Sequence, residues 1–263
     1  MNIFIRELSV NRKSLVFWSA GLLFMVWVGM TKYSGFQASG DAANQILGQF
    51  PKSIQAVLGF EGFDLSTALG FYGVLFVYLA IMATIHATML GANIIAKEER
   101  DKTVEFLLTK PISRSRVILS KMLAGLVNVI AINLVALLSS LWIVSSYDDS
   151  IVGEIFLLMT GLLMLQLIYF FIGMMIGAIK RKSKRAATVA SSVLMITFMI
   201  NVAIGLNESL EILKYFTPFR YYFASEILSN GGLDGIYIAL SGVIILICVY
   251  LTFALYEKRD LTV

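Results

Sequence analysis

Three kinds of residue in this chain could do chemistry: the adjacent carboxylates Glu98 and Glu99, the lone His86, and the amides Asn128, Asn133, Gln166 and Asn201 set in apolar runs. A carboxylate pair with a histidine can activate water, so intramembrane hydrolysis is the enzyme class to weigh first. The chain holds 1 His, and no Cys, Asp or Glu lies within a helical turn or two of it. His86 therefore lacks the partners that a metal site or proton relay needs. No G-x-S-x-G builds a serine nucleophile, and no G-x-x-x-x-G-K-[ST] wraps backbone amides round a phosphate. Thr84 and Thr88 flank His86 at helical spacing, so interhelical hydrogen bonding competes with a transport role for that cluster. The four amides avoid lipid for the same energetic reason and read as helix-packing groups or as the lining of a path. Catalysis by this chain is not expected, and no cofactor or metal is expected in it.

The elements that must hold these groups are legible from hydropathy. Of 263 residues 58% are hydrophobic and only 14% charged, against about 25% charged in a soluble domain. Six apolar runs reach the roughly 17 to 25 residues that cross a bilayer. They fall at about 14–33, 70–96, 122–146, 151–179, 186–206 and 236–256. The expected fold is all-α and integral to the membrane, a single domain over 1–263. The one cysteine, Cys248, lies in the last run and excludes an intramolecular disulfide. Gly173-x-x-x-Gly177 in the fourth run permits close helix approach.

Charge sorts cleanly across these spans. Placing both termini, the loop after span 2 and the loop after span 4 on one side leaves only Lys32, Lys52, Lys214 and Arg220 of 21 Lys and Arg on the other. Cytoplasmic loops are enriched in Lys and Arg, so both termini are expected in the cytoplasm. Ile3, Phe4, Leu8 and Val10 share one half of a helical wheel, with Arg6, Arg12 and Lys13 largely off it. That pattern predicts a short interfacial helix over 1–13, with a disordered charged leader as the alternative. Residues 34–69 predict one or two short helices outside the membrane. Residues 207–235, aromatic and broken by Pro218, predict re-entrant helices on the outer side before span 6.

The densest charge is the stretch from Lys97 to Arg114. No breaker separates it from span 2 until Pro111, so span 2 is expected to run on into the cytoplasm as a helix. Glu98 lies four residues ahead of Lys102, a pairing worth about 0.2–0.5 kcal/mol to a solvated helix. Val104, Leu107 and Leu108 make an apolar patch on that helix, Pro111 ends it, and Ser113 caps a helix that returns through Lys121 into span 3. A helix-Pro-helix with an apolar patch ringed by charge is a docking surface, although a solvated hairpin would obey the same charge rule.

The run Ile95-Ala96-Lys97-Glu98-Glu99-Arg100-Asp101-Lys102-Thr103-Val104-Glu105-Phe106-Leu107-Leu108-x-x-Pro111-Ile112-Ser113-Arg114, with Lys121 following, resembles the signature loop of ABC type-2 permeases, the membrane subunits of ATP-driven exporters. Lys102 stands where that family usually has Gly, a departure that bears on the local turn. Tyr215-Phe216-Thr217-Pro218-Phe219 is similar to the family's aromatic-Pro-aromatic segment before the last span. The resemblance implies that residues 97–121 form a coupling element, with Glu98, Glu99, Arg100, Asp101, Thr103, Val104, Glu105, Leu107, Leu108, Pro111 and Arg114 contacting a separate ATP-binding subunit. It implies two copies of that subunit, which would hold ATP and Mg, and a second permease as homodimer or heterodimer. The expected location is the bacterial cytoplasmic membrane, with lipid as the remaining partner and no nucleic acid. Export of amphipathic or hydrophobic cargo is the leading expectation; a membrane anchor or assembly subunit without transport, and an intramembrane hydrolase, are the alternatives.

Overall fold

The computed structural model describes residues 3–60, 62–100, 113–180 and 183–258, and every regular element among them is helical. Among the described residues six helices are long and apolar enough to cross a membrane. They are α1 (Ile3–Thr31), α5 (Ala68–Arg100), α6 (Arg114–Val144), α7 (Val152–Ile179), α8 (Ser183–Leu206) and α11 (Gly235–Glu257). Between α1 and α5 lie three short helices, α2 (Tyr33–Ser39), α3 (Asp41–Gly48) and α4 (Lys52–Leu58). Between α8 and α11 the chain forms a 3-10 stretch (Glu208–Phe216), then α9 (Pro218–Tyr221) and α10 (Ala224–Asn230).

The leader is helical from Ile3 and continuous with the first span, α1 running unbroken from Ile3 to Thr31. The reason is local and tertiary at once. No Pro or Gly interrupts residues 3–20, and Phe4 and Leu8 pack against the cluster that contains Ile118, Cys248 and Tyr256. An apolar face that suits a membrane surface also suits the flanks of two neighbouring helices.

The bundle is built around α5 and α7. They pack most extensively on each other, α1 lies along α6, α8 along α5 and α11 along α7. Burial follows: 61% of the apolar window of α7 is buried, against 17% for α1 and for α11. Glycines set the distance between α5 and α7. A Cβ at Gly177 would lie 2.6 Å from the Ala92 carbonyl oxygen, and one at Gly173 would lie 3.0 Å from Ala92 N while overlapping the Thr88 carbonyl oxygen. Gly91 faces Phe170 and Met174 backbone in the same way. Small residues on both helices therefore let main chain approach main chain.

Around this seam, hydroxyls join helices that sequence spacing alone does not pair. Tyr72 Oη donates to Ser140 Oγ at 2.6 Å, Tyr169 Oη and Thr197 Oγ1 are 2.5 Å apart, and Tyr222 Oη and Ser241 Oγ 2.7 Å apart. Thr217 Oγ1 donates to the Thr197 carbonyl at 2.8 Å. That bond, together with buried Phe219, Tyr221 and Tyr222, folds the segment after α8 back against the bundle. Pro218 sits at the first turn of α9, where its missing N–H costs no helical bond.

Candidate functional site

The charged stretch leaves α5 at one end of the bundle. The helix runs 33 residues to Arg100, about 50 Å at 1.5 Å per residue, well beyond the roughly 30 Å of hydrocarbon. Of the expected contact residues, Asp101, Thr103, Val104, Glu105, Leu107, Leu108 and Pro111 lie outside the described residues, as do the side chains of Glu98, Glu99 and Arg100. What the structure describes is the base on which that stretch stands.

Five side-chain hydrogen bonds define that base. Ser113, at φ −66° and ψ 145°, caps α6, its hydroxyl accepting from Arg116 N at 3.4 Å. Arg114 Nη1 donates to the Glu257 carbonyl at 2.9 Å, and Ser115 Oγ donates to Glu257 Oε1 at 2.5 Å, so the first turn of α6 is tied to the last turn of α11. Lys121, fully buried, donates through Nζ to the Ile94 carbonyl at 2.7 Å and joins α6 to α5. Ser183 Oγ donates to Asn93 Oδ1 at 2.7 Å and brings in the start of α8.

Lys121 is informative because a buried ammonium is expensive unless its donors are satisfied. Its long stem crosses apolar packing to reach a main-chain oxygen within two turns of the point where the charged stretch begins. Four of the six long helices thus meet at the base through side-chain hydrogen bonds. A displacement of the stretch would act on α5 and α6 directly and on α8 and α11 through these ties. Sequence spacing flagged Arg114 and Lys121 as basic residues at a span end, but gave no sign of Ser115, Asn93, Ser183 or Glu257. Their partners are distant in sequence, and each residue alone is ordinary for a helix end.

The intramembrane polar residues are all buried: His86, Asn128, Asn133, Gln166 and Asn201. Only two of them meet. Asn133 Nδ2 donates to Gln166 Oε1 and to the Met159 carbonyl, each at 3.1 Å, linking α6 to α7. Asn128 Nδ2 donates to the Ala124 carbonyl within its own helix at 2.8 Å. His86 packs with its ring centroid 5.6 Å from that of Trp18. Its Nδ1, like Gln166 Nε2 and Asn201 Oδ1, has no hydrogen-bond partner among the described residues.

A hydrolytic centre does not assemble from these parts. His86 and Glu98 sit on one continuous helix, and an offset of 12 positions separates them by about 18 Å along its axis. Among the described residues no three His, Cys, Asp or Glu side chains come together where a metal could bind.

Against known proteins, the family model described as ABC-2 family transporter protein matches residues 1–261. No curated protein matches the chain.

Proposed function

This chain belongs to the ABC-2 transporter family, and from that premise we propose that it is the permease subunit of an exporter that moves amphipathic or hydrophobic cargo, such as a peptide, an antibiotic or a lipid-like molecule. Family membership makes it a multi-pass membrane protein whose partner is an ATP-binding subunit. In the proposal two copies of that subunit hold ATP and Mg, and two permeases, identical or sister chains, form the path between them.

The observation that supports the reading is that α5 carries the start of the charged stretch, as far as Arg100, on a helix of 33 residues, longer than the hydrocarbon is thick, beside a hydrogen-bonded base. Residues 97–121 serve as the coupling element, Glu99, Arg100 and Glu105 meeting the ATP-binding subunit by charge and Val104, Leu107 and Leu108 by burial. Closure of the ATP-binding subunits shifts this element, and the ties at Lys121, Arg114 and Ser115 pass the shift to α5, α6 and α11. A two-state bundle biased by nucleotide in a partner needs nothing more. Both termini and the coupling element lie in the cytoplasm of a bacterial cell, and the segment 207–235 is re-entrant on the outer side. The charge sorting of the loops supports this orientation.

The test is co-expression with the ATP-binding subunit encoded beside it. Arg100→Glu and Glu99→Lys are expected to abolish co-purification and stimulated ATP hydrolysis while membrane insertion stays normal. Intact complexes with unchanged hydrolysis in both variants would overturn the coupling assignment.

A further inference from the structure

A groove of about 400 Å³ opens between the C-terminal ends of α1 and α6, lined chiefly by Leu23, Trp27, Trp142, Ile143 and Tyr147. Thr31 is shared with a shallower hollow of about 510 Å³ that reaches Lys32, Ser34 and Phe36. Both lie at the far end of α6 from the charged stretch. Trp27 stands one turn before the end of α1, and Trp142 two residues before the end of α6. Tryptophan and tyrosine at span ends mark the level where hydrocarbon gives way to headgroups.

The hydrogen-bonding capacity of the groove is one-sided. The hydroxyls of Thr31, Ser34 and Ser146 donate to helix carbonyls of Val28, Thr31 and Ile143. The indole N–H groups of Trp27 and Trp142 and the Lys32 ammonium have no acceptor among the described residues. Of the other cations on this side with described side chains, Lys214 is paired with Glu211 at 2.7 Å and Arg220 with Glu226 at 2.8 Å. Among the described residues Lys32 has no such carboxylate. Trp142 is 77% exposed and Trp27 55%, so nothing described in the chain covers the groove.

The occupant must therefore be apolar along Leu23 and Ile143, accept hydrogen bonds at the level of the indoles, and carry negative charge beside Lys32. We propose that this groove is a binding site for an anionic phospholipid, its acyl chain lying between α1 and α6 and its phosphate at Lys32. A second copy of the chain fits less well. A symmetric contact would bring the same three unspent donors from each side and bury them without acceptors. The proposal is independent of the coupling assignment.

Tryptophan fluorescence reads the site, since two of the 3 Trp line it. The full chain in nanodiscs of zwitterionic lipid is titrated with brominated phosphatidylglycerol or with brominated phosphatidylcholine. Half-maximal quenching is expected at about fivefold lower mole fraction of the anionic lipid, the factor that roughly 1 kcal/mol per cation near a membrane surface corresponds to. Lys32→Gln is expected to remove the preference while leaving quenching by phosphatidylcholine unchanged, and Lys32→Arg to keep it. Equal quenching by the two lipids in the unaltered chain, or a preference that survives Lys32→Gln, would overturn the proposal. So would protection from both lipids accompanied by crosslinking of Trp142→Cys between copies, which would assign the groove to a second copy.

Discussion

Substituting Gly173 by Ala probes the α5–α7 seam with a matched control on the same molecule. An added Cβ would stand 3.0 Å from Ala92 N and closer still to the Thr88 carbonyl oxygen, where a comfortable contact needs roughly 3.5–4.0 Å. Both atoms are backbone, so relief requires the helices to part by at least about 0.5 Å along a seam that also includes Gly91 and Gly177. Overpacking of this kind costs about 1–3 kcal/mol. Helix propensity works against that cost, since Ala in place of a mid-helix Gly gains about 1 kcal/mol. Gly242 in α11 separates the two effects, because a Cβ there meets nothing within 4 Å. Gly242→Ala collects the propensity gain alone, so the difference between the two variants is the packing cost of about 1–3 kcal/mol. Cys248 supplies the assay: it is buried and free, and a thiol-reactive fluorogenic dye reports its exposure on heating. At about 2–4 °C per kcal/mol for a chain of this size, Gly173→Ala should melt several degrees below Gly242→Ala. Adding Gly91→Ala to Gly173→Ala should cost less than the sum, since the first substitution already opens the seam. Equal melting of the Gly173 and Gly242 variants would refute the close approach of α5 and α7.

Two further outcomes follow from side-chain partners. A double-mutant cycle with Asn133→Ala and Gln166→Ala, read by the same melting assay, should give a coupling of about 0.6 kcal/mol and below about 2, the range found for interhelical hydrogen bonds in membranes; a vanishing coupling would mean that the two amides do not meet. Asp64 accepts from Ser66 Oγ and Asn44 Nδ2 at 2.6 Å each and from Ser66 N at 2.9 Å, and these bonds hold its carboxyl below the usual range. With the folded pKa lowered, its stabilisation is fully present above the unfolded value near 3.9 and is lost as pH falls through the folded one. Hydrogen-exchange protection of the Leu65 and Ser66 amides should therefore hold from pH 8 to about pH 5 and drop below about pH 4, a step absent in Asp64→Asn; a step that persists in that variant would assign the titration elsewhere.

The long helices were legible in the sequence because each apolar run carries its own length and ends in charge or turn residues. The continuity of α1 was not, since a helical wheel places Phe4 and Leu8 on one face without saying whether lipid or Tyr256 covers it. Pairings across helices were the least legible. Asn133 and Gln166 each announce a partner in an apolar span, but nothing in their spacing selects one another over Asn128 or Asn201. Lys121 shows the same limit: a basic residue at the start of a span satisfies the charge rule whether it reaches water or, as here, the Ile94 carbonyl. The charged stretch itself stood out by composition, and what the fold adds is the tied base beneath it, visible only once α6, α8 and α11 are set beside α5.

The central claim, that residues 97–121 meet the ATP-binding subunit, is tested most directly by cysteine crosslinking in a Cys248→Ser background. Thr103→Cys is expected to crosslink to that subunit in the assembled complex and Ser146→Cys, at the opposite end of α6, is not. A crosslink from Ser146→Cys, or none from Thr103→Cys while the complex stays intact and hydrolyses ATP, would contradict it.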